Sequence, residues 1–120
     1  MIKTEDFTEE EFICPCCGKN KMMQEFINKL KNARTYAGVP FVITSGFRCK
    51  KHNRKVGGRK NSPHLDGWGC DIQVNGSRER YLIINALLYT GFNRIGIGKD
   101  FIHVDMDYGK VGEVIWDYNI

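Results

Sequence analysis

The chain has 120 residues, enough for one domain spanning residues 1–120 with a hydrophobic core of its own. Hydrophobic residues make up 42% and charged residues 27%, as in soluble globular proteins, and the lack of any apolar run of about 20 residues excludes a transmembrane helix. The net charge of +4 is a mild excess and does not indicate nucleic-acid binding, which usually requires a clustered basic stripe.

The first twenty residues predict an extended N-terminal arm that ends in a cysteine-rich turn. Its beginning, residues 1–11, is acidic and lacks the basic-then-apolar pattern of a secretory signal. We therefore expect cytoplasmic synthesis without a signal peptide. Three of the five cysteines lie in the turn, and a cytoplasmic origin argues against a disulfide framework.

The cysteine-rich turn has two interpretations. Cys14 and Cys17 have the Cys-x2-Cys spacing of a zinc knuckle, and Cys49-x2-His52 would complete a set of four ligands. Against a metal, about thirty residues separate the two pairs, which is more than compact zinc ribbons use, and Cys16 interrupts the knuckle. We favour reduced cysteines in a turn, with a second, structural zinc ion at these four residues as the alternative.

Hydrophobic periodicity predicts helices over residues 21–37 and 77–90, closed by Gly38 and Gly91. Five strands are predicted, over residues 41–44, 69–74, 94–97, 101–106 and 114–118. The basic, glycine-rich stretch 49–69 lacks periodicity and is interpreted as a long, solvated loop of the kind that often carries function. This order of elements predicts an α+β domain with a small, mostly antiparallel sheet and two main helices.

Three side chains have metal-binding chemistry and can converge. Strand alternation places Asp71 opposite the apolar Cys70, Ile72 and Val74, and places His103 on the polar face of its own strand. His64 precedes Asp71 in a glycine-rich segment. Imidazole and carboxylate suit zinc, but a hydrogen-bonded histidine beside a loop aspartate is common, so the residues alone leave both interpretations open.

The segments around these residues occur in a recognisable order: Ser45-Gly46-Phe47-Arg48, His52-Asn53, Val56-Gly57-Gly58, Asn61-Ser62-Pro63-His64-Leu65-Asp66-Gly67, Asp71-Ile72 and Phe101-Ile102-His103-Val104-Asp105. Over residues 41–116 they resemble the zinc D-alanyl-D-alanine carboxypeptidases of the M15 peptidases, a group that includes phage endolysins with L-alanyl-D-glutamate peptidase activity. The most specific part is Ser-x-His-x2-Gly-x3-Asp with a later Asp-x2-His. The resemblance implies the small α+β fold shared with the Hedgehog signalling domain.

The resemblance also implies roles for single residues. His64, Asp71 and His103 match the family's ligands to one catalytic zinc ion. Asp100, three positions before His103, matches the carboxylate that serves as general base and then general acid. This pattern favours an enzyme, because a domain that only binds has no use for the acid/base group.

Two further residues match substrate-binding positions. Arg48 would pair with a substrate carboxylate or stabilise the oxyanion, the alternative being a surface salt bridge. Ser62 would contact substrate, or merely cap a turn. For Asp105 we favour an exposed strand residue over a partner that orients His103. Trp68 and Cys70 flank Gly69 where relatives usually carry small or aliphatic residues, which leaves the shape of the pocket open.

The expected function is a monomeric zinc metallopeptidase that cleaves stem peptides of bacterial peptidoglycan, resembling a phage or prophage endolysin, with no nucleic-acid partner and no membrane insertion. It would reach the cell wall only after release from the cytoplasm. The alternatives are a non-catalytic, metal-containing domain of the same fold that binds peptidoglycan or protein, and a zinc-ribbon nucleic-acid module built on the cysteines. The sequence does not distinguish a carboxypeptidase from an endopeptidase.

Overall fold

The structure is a computed structural model that describes Phe7 and residues 9–118. It contains three α-helices and five strands within that part of the chain: α1 (Gln24–Ala37), β1 (Ile43–Ser45), α2 (Lys50–Lys55), β2 (Gly69–Gln73), α3 (Gly76–Tyr89), β3 (Arg94–Ile97), β4 (Phe101–Asp105) and β5 (Val114–Asp117). Short 3-10 helices lie at Glu9–Phe12 and Pro63–Leu65. None of the helices in the described part is long and apolar enough to cross a membrane.

The five strands form one sheet in the order β1-β2-β4-β3-β5. All neighbours pair antiparallel except β3 and β5, which are parallel. The predicted α+β fold with a mostly antiparallel sheet is therefore confirmed. In the β2–β4 ladder Asp71 lies directly opposite His103, and since directly opposed residues share a face of a sheet, both side chains project to the same side.

The other face of the sheet packs against the two long helices. Alternate residues of β2 and β4 join residues of α1 and α3 in one core, each with at most 3% of its surface exposed: Cys70, Ile72, Val74, Ile102, Val104, Phe26, Leu30, Ala33, Ile83, Ala86 and Leu87. Fully burying a large aliphatic or aromatic side chain contributes about 1.5–3 kcal/mol, so this layer provides much of the stability. The polar face of the same strands is thereby left for a site.

Three predictions of elements or their bounds were wrong, and one of them is the first strand, which covers Ile43–Ser45 instead of residues 41–44. The stretch 49–69 is not loop throughout, because α2 and the 3-10 turn at Pro63–Leu65 lie within it. Six residues are too few to show an apolar stripe, so α2 leaves no periodic signal. The first helix begins three positions later than predicted: Asn20 Oδ1 and Gly67 O accept the backbone N–H groups of Met22 and Met23, and Met23 is extended as the residue that precedes the helix.

The described part of the predicted N-terminal arm packs against the end of β1. Phe12 is 2% exposed, and its carbonyl accepts the backbone N–H of Phe47 at 3.0 Å. A Cβ atom at Gly46 would lie 2.6 Å from Phe12 Cα, so the approach of the two segments requires glycine there. Residues 1–6 and 8 of the predicted arm lie outside the described residues.

Candidate functional site

The structure brings together the three residues that the sequence predicts as zinc ligands. One ligand atom from each of His64, Asp71 and His103 lies within 4.8 Å of the other two. Asp71 Oδ1 is at the centre, 3.3 Å from His64 Nε2 and 2.9 Å from His103 Nδ1. We call these three residues the metal centre. Two of them come from adjacent strands and the third from the 3-10 turn that precedes β2.

The turn that delivers His64 is built from its neighbours in sequence. Ser62 Oγ accepts the backbone N–H of His64 at 3.2 Å and so caps the 3-10 helix, with Pro63 at its first position. Gly67 then takes φ +75°, and a Cβ atom there would lie 2.0 Å from the carbonyl oxygen of Lys21. The capping role that we left open for Ser62 is therefore present, and this side chain also lines the cleft described below.

A second partner orients each imidazole of the metal centre. His64 Nδ1 lies 2.7 Å from the carbonyl oxygen of Gly46, and His103 Nε2 lies 2.7 Å from Asp105 Oδ2. When these nitrogens donate to their oxygen partners, His64 Nε2 and His103 Nδ1 carry free lone pairs that face Asp71. Such outer partners fix the tautomer and the ring direction of metal-binding histidines.

Asp105 belongs to this site and is not an exposed strand residue. Only 1% of its surface is exposed, and Arg94 Nε donates to its Oδ1 at 2.7 Å. Our preference for an exposed residue was wrong because His103 and Arg94 each bond one of the two carboxylate oxygens of Asp105, contacts that the sequence does not show. Its position two residues after His103, on the same face of β4, was the signal that could have found it.

Ionisation of the metal centre reflects competition between burial and hydrogen bonding. Burial alone would raise the pKa of Asp71, but hydrogen bonds from His103 and His64 outweigh it and hold the pKa well below its usual range. Burial alone would lower the pKa of His103, but its bonds to Asp105 and Asp71 raise it. The centre therefore favours a carboxylate together with positive charge beside it.

The residues fit a zinc ion. Two neutral imidazoles and one carboxylate form a donor set that zinc uses in catalytic sites, where three protein ligands leave a fourth position open. The lone pairs of His64 Nε2 and His103 Nδ1 would repel Asp71 Oδ1 unless a proton or a cation lies among them. A divalent cation resolves that repulsion for both histidines at once.

The metal centre opens into a cleft of about 550 Å³. Four cationic side chains line it, namely Arg48, Arg59, Arg94 and Lys110, and Phe101, Trp116 and Tyr118 form an aromatic part of its lining. Of these residues, sequence reasoning identified only Arg48 as part of a site. The others come from separate elements, and the period-two pattern of the last strand was the only hint that its aromatic side chains share a face.

Arg48 is held as part of the site. Its Nε donates to Ser45 Oγ at 3.1 Å, its Nη1 to Asn53 Oδ1 at 3.1 Å, and its Nη2 lies 3.5 Å from Asp71 Oδ2. Only 14% of its side chain is exposed, so it is not the surface salt bridge that we considered as the alternative. Because it contacts a ligand carboxylate and lines the cleft, Arg48 can meet an anionic group of a bound molecule.

Asp100 is not brought into the metal centre. It is exposed in the turn between β3 and β4, where its carbonyl oxygen accepts the backbone N–H of Val74 at 2.9 Å. Side chains alternate between the two faces of a strand, and Asp100 lies three positions before His103. This alternation does not direct the Asp100 side chain to the face that carries His103. Among the described residues, Asp100 is not one of those that line the cleft, although the next residue, Phe101, does.

Trp68 and Cys70 do not shape the cleft as the structure describes it. Cys70 is fully buried in the core on the far side of β2, where burial raises the pKa of its thiol well above the usual value. Trp68 packs against the core and makes an edge-to-face contact with Tyr108, with ring centroids 5.4 Å apart. Both side chains therefore contribute to packing.

A second group of side chains converges at the other end of the basic stretch. Ligand atoms of Cys14, Cys17 and Cys49 lie within 4.8 Å of one another, and we call these three residues the cysteine cluster. Burial raises the pKa of the Cys14 thiol, but hydrogen bonds from backbone N–H groups, first that of Cys49, bring it down to about 7. All three residues are free cysteines.

Comparison with known proteins identifies the family. A family model described as Peptidase M15 matches residues 5–105, which include the whole metal centre and the cysteine cluster. No curated protein matches the chain. The chain therefore belongs to the M15 peptidase family, whose members act on peptide substrates and are zinc-dependent.

Proposed function

We propose that this M15 peptidase is a zinc enzyme that hydrolyses peptide bonds in the stem peptides of bacterial peptidoglycan. One observation carries the proposal: in a member of this family, two histidines and an aspartate converge in the lining of a cleft, and each histidine is oriented by its own oxygen partner. His64, Asp71 and His103 would hold the ion. A zinc ion at such a site polarises the scissile carbonyl and activates water.

The residues around the centre account for binding and orientation. By accepting hydrogen bonds from the outer ring nitrogens, the Gly46 carbonyl and Asp105 would direct the other nitrogens of His64 and His103 toward the ion. Arg48 would bind a substrate carboxylate or stabilise the negative charge that develops on the scissile carbonyl oxygen. Stem peptides are rich in carboxylates, which suits a cleft lined by four cationic side chains.

The proposed acid/base group is Asp100, and the assignment rests on the resemblance. In this role its carboxylate would take the proton of the attacking water and later deliver it to the leaving amine. Its place next to the cleft-lining Phe101 is the structural support. Its exposure outside the lining favours a second candidate function, a domain of this fold that holds the metal and binds wall peptides without cleaving them.

The finer assignment is an enzyme of the endolysin type from a phage or prophage, made in the cytoplasm and acting on the wall after release. It would act either as a D-alanyl-D-alanine carboxypeptidase or as an endopeptidase between L-alanine and D-glutamate. The net charge of +4 would assist adhesion to an anionic envelope.

The test is digestion of purified peptidoglycan, with the released ends identified by mass spectrometry. We expect the zinc-loaded wild type to release free D-alanine or to expose new D-glutamate amino termini, and the two products distinguish the two specificities. Chelation should abolish cleavage and added zinc should restore it. His64→Ala should not cleave, because the open site would lose one of its three ligands.

The binding-only alternative makes a different prediction for the same samples. Zinc-loaded wild type would sediment with insoluble peptidoglycan but release no new termini. That result, obtained with protein whose zinc content has been verified, would reject the enzyme and support the binder.

A further inference from the structure

Among the residues that the structure describes, one group outside the metal centre also places three metal-binding atoms within 4.8 Å of one another, and it is the cysteine cluster. The proposed peptidase reaction makes no use of it. We propose that the chain holds a second, structural zinc ion, bound by Cys14, Cys17 and Cys49 and by His52 as the fourth ligand.

The backbone around Cys14 has the form of a zinc knuckle. The sequence Cys14-Pro15-Cys16-Cys17-Gly18 turns back on itself, since the N–H of Gly18 donates to the Cys14 carbonyl at 2.8 Å and the N–H of Cys14 donates to the Lys19 carbonyl at 2.9 Å. Gly18 takes φ +72°, which closes the turn. Two cysteines three positions apart on such a turn present both sulfurs to one side, as structural zinc sites require.

The other two ligands come from the start of α2. Cys49 precedes the helix and His52 lies in its first turn, where the backbone N–H of His52 donates to Cys49 Sγ at 3.4 Å. His52 lines a surface pocket together with Pro15 and Cys16 of the knuckle, but its ring nitrogens are not among the atoms that converge within 4.8 Å. To become the fourth ligand, the His52 ring would have to turn toward the three sulfur atoms. A Cys-x2-Cys pair and a Cys-x2-His pair together make the closed, four-ligand set of a structural site.

The fold brings the two cysteine-containing pairs together although about thirty residues separate them in the sequence. Cys14 and Cys49 are 35 positions apart, yet their sulfur atoms are 3.7 Å apart, because α1 and β1 occupy the intervening chain and return it to the same place. The N–H of Cys49 also donates to Cys14 Sγ, at 3.4 Å. Backbone N–H donation to sulfur favours the thiolate, which is the form that binds metal.

The charges nearby also suit a metal–thiolate group. Three thiolates and a neutral imidazole around a divalent ion leave one net negative charge, and the adjacent helix α2 is basic, with Lys50, Lys51, Arg54 and Lys55. No acidic side chain lies in α2 itself. A site of this charge would therefore meet favourable surroundings, while three uncharged thiols would leave the basic residues without that attraction.

The second zinc would join the N-terminal arm to the segment that carries Arg48. Cys49 follows Arg48 directly, and the backbone N–H of Arg48 donates to the His64 carbonyl at 3.0 Å. The arm also holds Phe47 through the Phe12 carbonyl. An ion fixed at Cys49 would thus hold one end of the strand-to-helix connection that positions Arg48 beside Asp71.

The test is a measurement of the number of zinc ions bound per full-length chain. The protein is purified with its cysteines reduced and with zinc supplied. Elemental analysis should give two equivalents in the wild type and one in His64→Ala, whose remaining zinc should show sulfur ligands by X-ray absorption at about 2.3 Å. Cys17→Ser should lose the sulfur-bound zinc and melt at a lower temperature. Cys16→Ser is the comparison variant, since Cys16 is exposed like Cys17 and adjacent to it but is not one of the three converging residues, although its thiol interacts with Cys49; this variant should keep both ions.

Two further measurements test the second zinc site independently. In folded wild type, a mercurial reagent that titrates thiols should release one zinc equivalent to a colorimetric indicator, so the conclusion does not depend on any variant that misfolds. His52→Ala should bind the second zinc less tightly. A single equivalent in the wild type with no sulfur ligands would overturn the proposal. Loss of the second zinc in Cys16→Ser together with its retention in His52→Ala would overturn the assigned ligand set.

Discussion

The metal centre and the cysteine cluster are built in opposite ways. The metal centre takes two of its three residues from adjacent strands in register, Asp71 opposite His103, with the helices packed on the far side of the sheet. The cysteine cluster takes its residues from a surface turn and from the start of a six-residue helix. One uses oxygen and nitrogen donors that line a cleft, and the other uses sulfur from the buried Cys14, the half-buried Cys49 and the exposed Cys17.

The two arrangements are suited to different tasks. Three ligands beside a cleft leave a coordination position for a reacting molecule, whereas three thiolates and an imidazole would close the coordination sphere and contribute only to stability. The rigid sheet provides the precision that chemistry needs, because its ladder determines which side chains are opposed. The turn that carries Cys14 and Cys17 belongs to no helix or strand, and a cross-link would fix it to the start of α2.

The largest effect should come from the acid/base group, which only the metal centre requires. We expect Asp100→Asn to lower kcat about 10²–10⁴-fold, because proton transfer by a positioned group contributes about that much. Both zinc ions should stay bound. The measurement is the rate of stem-peptide cleavage alongside elemental analysis.

The matched control for that variant is Asp66→Asn, which removes an exposed carboxylate in the turn after His64 and should cleave at the wild-type rate. If Asp100→Asn and Asp66→Asn cleave equally fast, the acid/base assignment is wrong and the proton must pass through another group of the cleft.

The next largest effect is expected for a variant of Asp105, which should weaken zinc binding at the metal centre but not at the cysteine cluster. Asp105→Asn replaces the carboxylate that lies 2.7 Å from His103 Nε2 and should lower zinc affinity at the metal centre about 10–100-fold, as loss of an outer partner usually does. Competition with a fluorescent chelator measures it. The sulfur-bound zinc should keep its wild-type affinity, because Asp105 has no contact with the cysteine cluster; a parallel loss of both ions would indicate misfolding instead.

The smallest effect compares a glycine in each region. Gly67 and Gly18 both have positive φ, but a Cβ atom at Gly67 would meet the Lys21 carbonyl oxygen at 2.0 Å, while one at Gly18 would meet nothing within 4 Å. Gly67→Ala should therefore reduce the free energy of unfolding by about 1–3 kcal/mol, and more than Gly18→Ala, which adds only backbone strain. Urea denaturation of the two zinc-loaded variants measures both.

An equal loss of stability in both glycine variants would mean that the contact with Lys21 relaxes at no cost. The turn after His64 would then be held by its hydrogen bonds, namely the capping bonds of Ser62 and Pro63 and the bond from the Met23 N–H to the Gly67 carbonyl. Cleavage assays on the same two variants would show whether the strain reaches His64, since only Gly67 adjoins the turn that delivers it.

Regular elements were predictable because their signals are local. Alternation along β2 and β4 separated the buried Ile72 and Ile102 from Asp71 and His103, and the structure has that separation. The short α2 escaped prediction, because six residues carry too little periodicity to distinguish a helix from a loop. Asp105 escaped for a different reason: burial of a strand's polar face depends on what covers it.

The sequence by itself determined the fold class, the two long helices, the faces of the strands and the identity of the residues at the metal centre. The elements depend on local patterns, whereas the residues of the metal centre were identified by a family resemblance whose motifs extend from His64 to His103. Only the tertiary structure decided that Asp105 is buried beside His103 and bonded to Arg94, that Asp100 stays in an exposed turn, and that Cys14 meets Cys49. Those outcomes depend on contacts between segments that are distant along the chain. Such contacts form only when the chain folds, and local sequence patterns carry no information about them.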